Sequence, residues 1–184
     1  VKQGQLTTGY GANGEKLGPE LTFGIYLQQS LKEPILLIKT AWGGKSLDVD
    51  FRPPSSGGTV GPFYTEMIGT INKVLGDIKA QFPGYTGGGY ELSGFVWWHG
   101  WNDFCDAKAT AAYEKNLTNL IKDVRSELKA PQLPVVIGEF AGPWLKDIPE
   151  SALTVRKAQA DVAAKPEFKD TVKFVKTTDF LREE

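Results

Sequence analysis

"FVWWHGWNDF", residues 95–104, decides the reading of this chain. An aromatic and β-branched run stops at Gly100, and a Trp, an Asn and an Asp follow at once. A short continuous apolar run ended by glycine fits a strand buried inside a sheet. The polar residues then stand at the carboxyl end of that strand, where open α/β sheets bind their ligands. Three of the five Trp residues (Trp97, Trp98, Trp101) and the single His (His99) fall within these ten positions.

Similar runs lie on either side: "ILLIKT" (35–40), "LPVVIGEF" (133–140) and "TVKFVKT" (171–177). With the run at 94–98 they predict four strands covered on both faces. Helices are predicted between them. One spans 18–31, with Pro19 at its start. A second runs from Pro62 to about Phe82, with Phe63, Met67, Ile71, Val74, Leu75 and Ile78 on one face. A third follows Asp106 as N-cap, with Tyr113, Leu117, Leu120, Ile121, Val124 and Leu128 as its stripe. A fourth covers about 150–164, with Leu153, Val155, Ala158 and Val162 facing in. Strands alternating with helices predict an α/β fold: a three-layer α/β/α sandwich around a mostly parallel, flavodoxin-like sheet. Three strand ends carry unusual residues: "TAWGGKS" (40–46), "HGWND" (99–103) and "GEFAGPW" (138–144).

Composition narrows the function. The 184 residues suit one domain, and 41% hydrophobic content supports a core. Basic residues number 21 against 22 acidic, which argues against nucleic acid or an anionic membrane as partner. No apolar run approaches the ~20 residues that cross a bilayer. Cys105 is the only cysteine, so neither an internal disulfide nor a zinc-type Cys/His cluster is expected.

Two cofactor motifs fail, one on spacing and one on context. Gly44-Lys45-Ser46 has Lys39 where a phosphate loop needs glycine, and Pro-rich loop follows it. "GYGANG" (9–14) has dinucleotide-type glycine spacing but no strand before it. No cofactor is therefore expected, and a nucleotide- or flavin-binding reading is disfavoured. Gly43 and Gly44 serve either as a tight turn or as a place where backbone N–H groups meet a ligand. Asn102 and Asp103 read either as a turn or as rigid polar groups, with the Asn102 amide able to donate to an oxyanion. His99 reads either as a partly buried, hydrogen-bonded side chain or as a site residue. Trp97 suits the core and Trp101 the site. Asn116-Leu117-Thr118 is a glycosylation sequon, but it falls inside a predicted amphipathic helix.

Gly100-Trp101-Asn102-Asp103 resembles the G-x-N-D block of the SGNH hydrolases. "ILLIKTAWGGKSL" (35–47) followed by "FRPPSSGGTVGPFYTEMI" (51–68) resembles their sialate O-acetylesterase-like branch, related to carbohydrate esterase family 6. "LGPELTFG" (17–24) and "NLTNLIKDVRSEL" (116–128) fit the same branch, so the likeness covers nearly the whole chain. The resemblance implies ester hydrolysis by a Ser nucleophile from a "GQSN"-type block after the first strand, with a His near the C-terminus. It implies an oxyanion hole from a backbone N–H of Gly44, or next Gly43, and the side chain of Asn102. Gly43, Lys45, His99 and Trp101 stand as candidate substrate contacts. The implied partner is an acetylated carbohydrate or another small ester, and proteins resembling this branch are often exported.

The chain departs from the pattern in having no "GQSN" block and no His after His99. Ser46 is the only Ser near the site, but it lies in the glycine-supplying loop. Residues 1–184 are therefore expected to be a single SGNH-like domain, the central part of a longer chain. The first strand and the C-terminal segment would be lacking, and the nucleophile and base would come from outside. In a flavodoxin-like order the first strand is central, so another segment should complete the sheet. The expected function is removal of O-acetyl groups from carbohydrates. The alternative is a non-catalytic carbohydrate-binding or scaffold protein on the same fold.

Overall fold

The computed structural model describes residues 3–11, 14–142 and 146–180. The Pro143–Trp144 end of the third loop, part of "GYGANG" and the last four residues lie outside these. The chain divides into two compact units, residues 1–41 and residues 42–184.

The first unit holds helix α1 (Glu20–Leu31), which starts after Pro19 and ends at a left-handed Lys32. Among its described residues only Gly9 and Gly24 are buried. A side chain at Gly24 would collide with Leu6 and Leu37, so glycine here lets α1 lie close against both. Lys39 Nζ donates to Glu20 Oε2 and to the Tyr10 carbonyl, each at 2.9 Å. The expected strand 35–40 is not formed: the segment has no regular structure and pairs with no strand among the described residues. A strand exists only as one side of a hydrogen-bonded ladder, and an apolar run does not supply its own neighbour.

The second unit carries the sheet. Strands β1 (Phe95–Trp98), β2 (Val135–Gly138) and β3 (Val172–Val175) pair in parallel in the order β1-β2-β3. The register aligns Trp97 with Ile137 and Phe174. Three described strands, rather than four, make the sheet. Its helices are α2 (Pro62–Gly76), α3 (Ile78–Gln81), α4 (Trp101–Phe104), α5 (Ala107–Glu127) and α6 (Glu150–Ala163). Helices follow β1 and β2 as crossovers, as parallel pairing requires.

The start signals read from sequence operate here. Pro62 opens α2, and Asp106 caps α5 by accepting from the Ala109 N–H at 2.8 Å. The helix expected to run to Phe82 breaks at Asp77, whose carboxylate restarts the chain as α3 by accepting from Ala80 N–H. Tyr113, Leu117, Leu120 and Ile121 of α5 are wholly buried. Leu153 of α6, expected inside, is 48% exposed, and Ala152 takes the inward place one residue earlier. Arg156 and Gln159 share that buried face. Arg156 bonds the carbonyls of Phe140 and Ala141, so a charged residue lies inside by satisfying backbone acceptors.

One face of the sheet (Trp97, Val135, Ile137, Val172) is buried, while the other leaves Val96, Trp98 and Val175 about half exposed. Trp98 lies against Gly138, where a side chain would come within 3.0 Å of its ring, and its indole N–H bonds the Glu139 carbonyl at 2.9 Å. The Asn116 sequon is closed: Asn116 is buried and its amide donates to Asp48 Oδ1 at 3.1 Å.

Candidate active site

The site grows from two loop segments of the second unit, of which only the second follows a strand. The first leaves Trp42 through a turn at Gly43–Gly44. Gly44 has φ +70°, a left-handed value that suits glycine, and a side chain there would meet nothing within 4 Å. The space beside its backbone is therefore open. The second segment follows β1. Gly100 has φ +153°, and a Cβ there would lie 2.8 Å from Phe140 and 3.1 Å from Val155. Glycine at this point lets β1 turn at once into α4, which carries Trp101, Asn102 and Asp103.

Asp103 joins the two segments. It is fully buried, and its Oδ1 accepts from Leu47 N–H and Asp48 N–H, each at 3.0 Å. Oδ2 accepts from Leu47 N–H at 2.8 Å. His99 makes a second tie, its Nε2 lying 2.8 Å from the Lys45 carbonyl. The residues that precede and follow these ties are Gly44 and Asn102, so both hang on one braced frame.

Further groups hold the frame from behind. The Tyr113 hydroxyl and the Gln159 amide both donate to the His99 carbonyl, at 3.0 and 2.8 Å. Gln159 Oε1 accepts from Phe140 N–H at 2.8 Å. Asp48 accepts from Arg52 at 2.7 Å as well as from Asn116. Phe51, Trp97 and Tyr113 pack around the imidazole, with the Trp97 ring 4.7 Å from it. Tyr113, Asn116, Arg156 and Gln159 were missed as site supports in the sequence. Their one visible signal is that polar groups stand on otherwise apolar helix faces.

Burial dominates the electrostatics. It pushes the Asp103 carboxyl up to about 6, against the pull of the Leu47 and Asp48 N–H groups, and the nearby Asp48 and Asp50 add to the rise. Burial pushes His99 down to about 4, opposed by the Lys45 carbonyl and Asp50. At neutral pH the ring is uncharged and the carboxylate ionised.

The other candidates are placed as follows. The Asn102 amide is half-buried and makes no hydrogen bond among the described residues. Trp101 is 49% exposed and stands edge-on to Phe104 and Phe140 at 5.3 and 6.1 Å. Lys45 sends its ammonium over the Phe63 ring at 4.2 Å and to Asp50 at 3.5 Å. The Ser46 hydroxyl is engaged by Asp50 and by Val49 N–H. Among the described residues, no Ser hydroxyl is bonded to a His, and no cluster of metal-ligating side chains occurs.

A parallel sheet flanked by helices, with a polar frame at the end of β1, fits an SGNH-like α/β fold. The sequence matches the family described as carbohydrate esterase, sialic acid-specific acetylesterase, over residues 5–183, and the chain belongs to that family. Among solved structures it is similar to a protein of Arabidopsis thaliana, with a TM-score of 0.65 and 21% identity. That likeness covers 91% of this chain, which spans 58% of the plant protein's chain, and it shows the shared fold. No curated protein matches the chain.

Proposed function

We propose that this chain forms the oxyanion side of an esterase that removes O-acetyl groups from carbohydrates. The observation that carries the reading is the braced pair of segments holding Gly44, with open space beside its backbone, and Asn102, with an uncommitted amide. An acyl transfer passes through a tetrahedral oxyanion, and donors fixed before reaction stabilise it most. In this reading the Gly44 N–H and Asn102 Nδ2 meet the oxyanion. A Ser from outside the described residues attacks the acetyl carbonyl, and a His from outside takes its proton and returns it to the sugar oxygen. Trp101 offers a half-exposed indole for the sugar ring to stack on. Gly43 and Lys45 flank Gly44 in the chain and are the further candidate contacts.

The Ser46 hydroxyl is unsuited to the attack because Asp50 and Val49 already hold it, and the lone His points at Lys45 and Asp103. That lack of a Ser–His pair also favours a second reading, a carbohydrate-binding protein without chemistry. One experiment separates the two. A fluorophosphonate is added to the full polypeptide, and the labelled peptide is mapped by mass spectrometry. The esterase reading expects one labelled Ser other than Ser46, and turnover of an acetylated sugar. Asn102→Ala should then lower kcat by about 10²–10³ with little change in KM. Absence of label and of turnover supports the binding protein instead.

A further inference from the structure

His99 and Asp103 take no part in the proposed chemistry, yet the imidazole Nδ1 and the carboxylate face each other out of contact with solvent. His99 Nε2 lies against the Lys45 carbonyl, which can only accept, so Nε2 carries its hydrogen in every protonation state. Nδ1 is then bare in the neutral ring. It is buried without a hydrogen-bond partner and faces Asp103 Oδ2 at 3.7 Å. Two atoms with lone pairs face each other away from water, an arrangement that one proton repairs by drawing the pair from 3.7 Å to hydrogen-bond distance. A proton on Oδ2 displaces the 2.8 Å contact from the Leu47 N–H, while Leu47 and Asp48 retain their 3.0 Å bonds to Oδ1.

We propose that His99 and Asp103 are positioning residues that share one proton taken from solvent, held on Asp103 Oδ2 and donated to His99 Nδ1. That proton clamps residues 45–48 to the turn at 99–103. Its bearing on catalysis rests on the oxyanion reading above, whereas the clamp itself stands without it.

Below about pH 6 the surroundings favour the pair with one proton and no net charge. Burial raises the carboxyl and lowers the imidazole, so the first proton goes to the acid. From the loop, Asp48 and Asp50 face the pair, their charges countered by Arg52 at 2.7 Å and Lys45 at 3.5 Å. From α5 comes the neutral Tyr113 hydroxyl, and from α6 the Gln159 amide, both directed at the His99 carbonyl.

Nuclear magnetic resonance of the full chain tests this without any esterase assay. The His99 ring signals are identified by their loss in His99→Leu. A single tautomer is expected, hydrogen on Nε2 and bare Nδ1, persisting below the ordinary His range. The Asp103 carboxyl carbon should titrate near 6. In His99→Leu that midpoint should fall by about one unit, the size of one lost hydrogen bond. A ring that titrates as an ordinary His, or with mixed tautomers, overturns the proposal. So does an Asp103 midpoint unmoved in His99→Leu. Should that variant fail to fold, the wild-type ring and carboxyl signals decide alone. A clamp that behaves as expected beside an Asn102→Ala variant of full activity would leave the proton sharing intact and remove the oxyanion reading.

Discussion

Asp103 holds its proton up to about pH 6, while His99 stays bare down to about pH 4. The two act on stability with opposite sign. Between about pH 4 and 6 the folded chain keeps a proton on Asp103 that the unfolded chain releases, so this carboxyl lowers stability as pH rises. Between about pH 4 and 6.5 the unfolded chain binds a proton at His99 that the folded chain refuses, so the imidazole raises stability over nearly the same window. Each shift is worth roughly 3 kcal/mol, and together they nearly cancel. Single substitutions should uncover them. Relative to wild type, His99→Leu should lose stability as pH rises from 4 to 6, and Asp103→Asn should gain it from 4 to 6.5. Urea midpoints across that range measure both. Parallel pH profiles for wild type and both variants would contradict the opposition.

Elements show where the sequence sufficed. The strand at 95–98, the cap at Asp106 and the α5 stripe were legible because each depends on a local pattern of apolar spacing or one capping side chain. The run at 35–40 had the same local pattern and formed no strand, because pairing is not a local property. Leu153 was misplaced by one position, since periodicity finds a face but not its edge. Gly44, Asn102 and Asp103 were legible as turn or polar positions, and Gly44 and Asn102 as candidate oxyanion donors. The links among them were not, because Asp103 reaches backbone groups 55 and 56 positions away. Gly100 is the junction on which the element order depends. Gly100→Ala adds a Cβ at positive φ with Phe140 and Val155 in its way. It should destabilise the fold by about 2–4 kcal/mol, read as a lower urea midpoint. A loss within a few tenths of a kcal/mol would show that the junction relaxes freely.

At the scale of the molecule, the two units differ in how much interior each owns. The second has a sheet, three helices of 14 residues or more and most of the buried side chains, while the first buries two glycines among its described residues. Hydrogen exchange should reflect this. Amides of residues 35–40, which lack a ladder, should exchange early, whereas those of β2 and α5 should approach the global limit. Slow exchange at 35–40 in the full polypeptide would indicate that a further strand pairs with this segment.

The tie between Asp103 and residues 47–48 has a consequence for how such a site drifts over generations. One side of it is a carboxylate and the other is main chain, which every residue except proline presents alike. Replacements at positions 47 and 48 can alter packing but leave the contact available, and only proline there deletes the donor. At position 103 the inherited letter itself carries the contact. Lineages sharing this frame are therefore expected to hold fast to one acidic letter while the loop it grips changes its spelling.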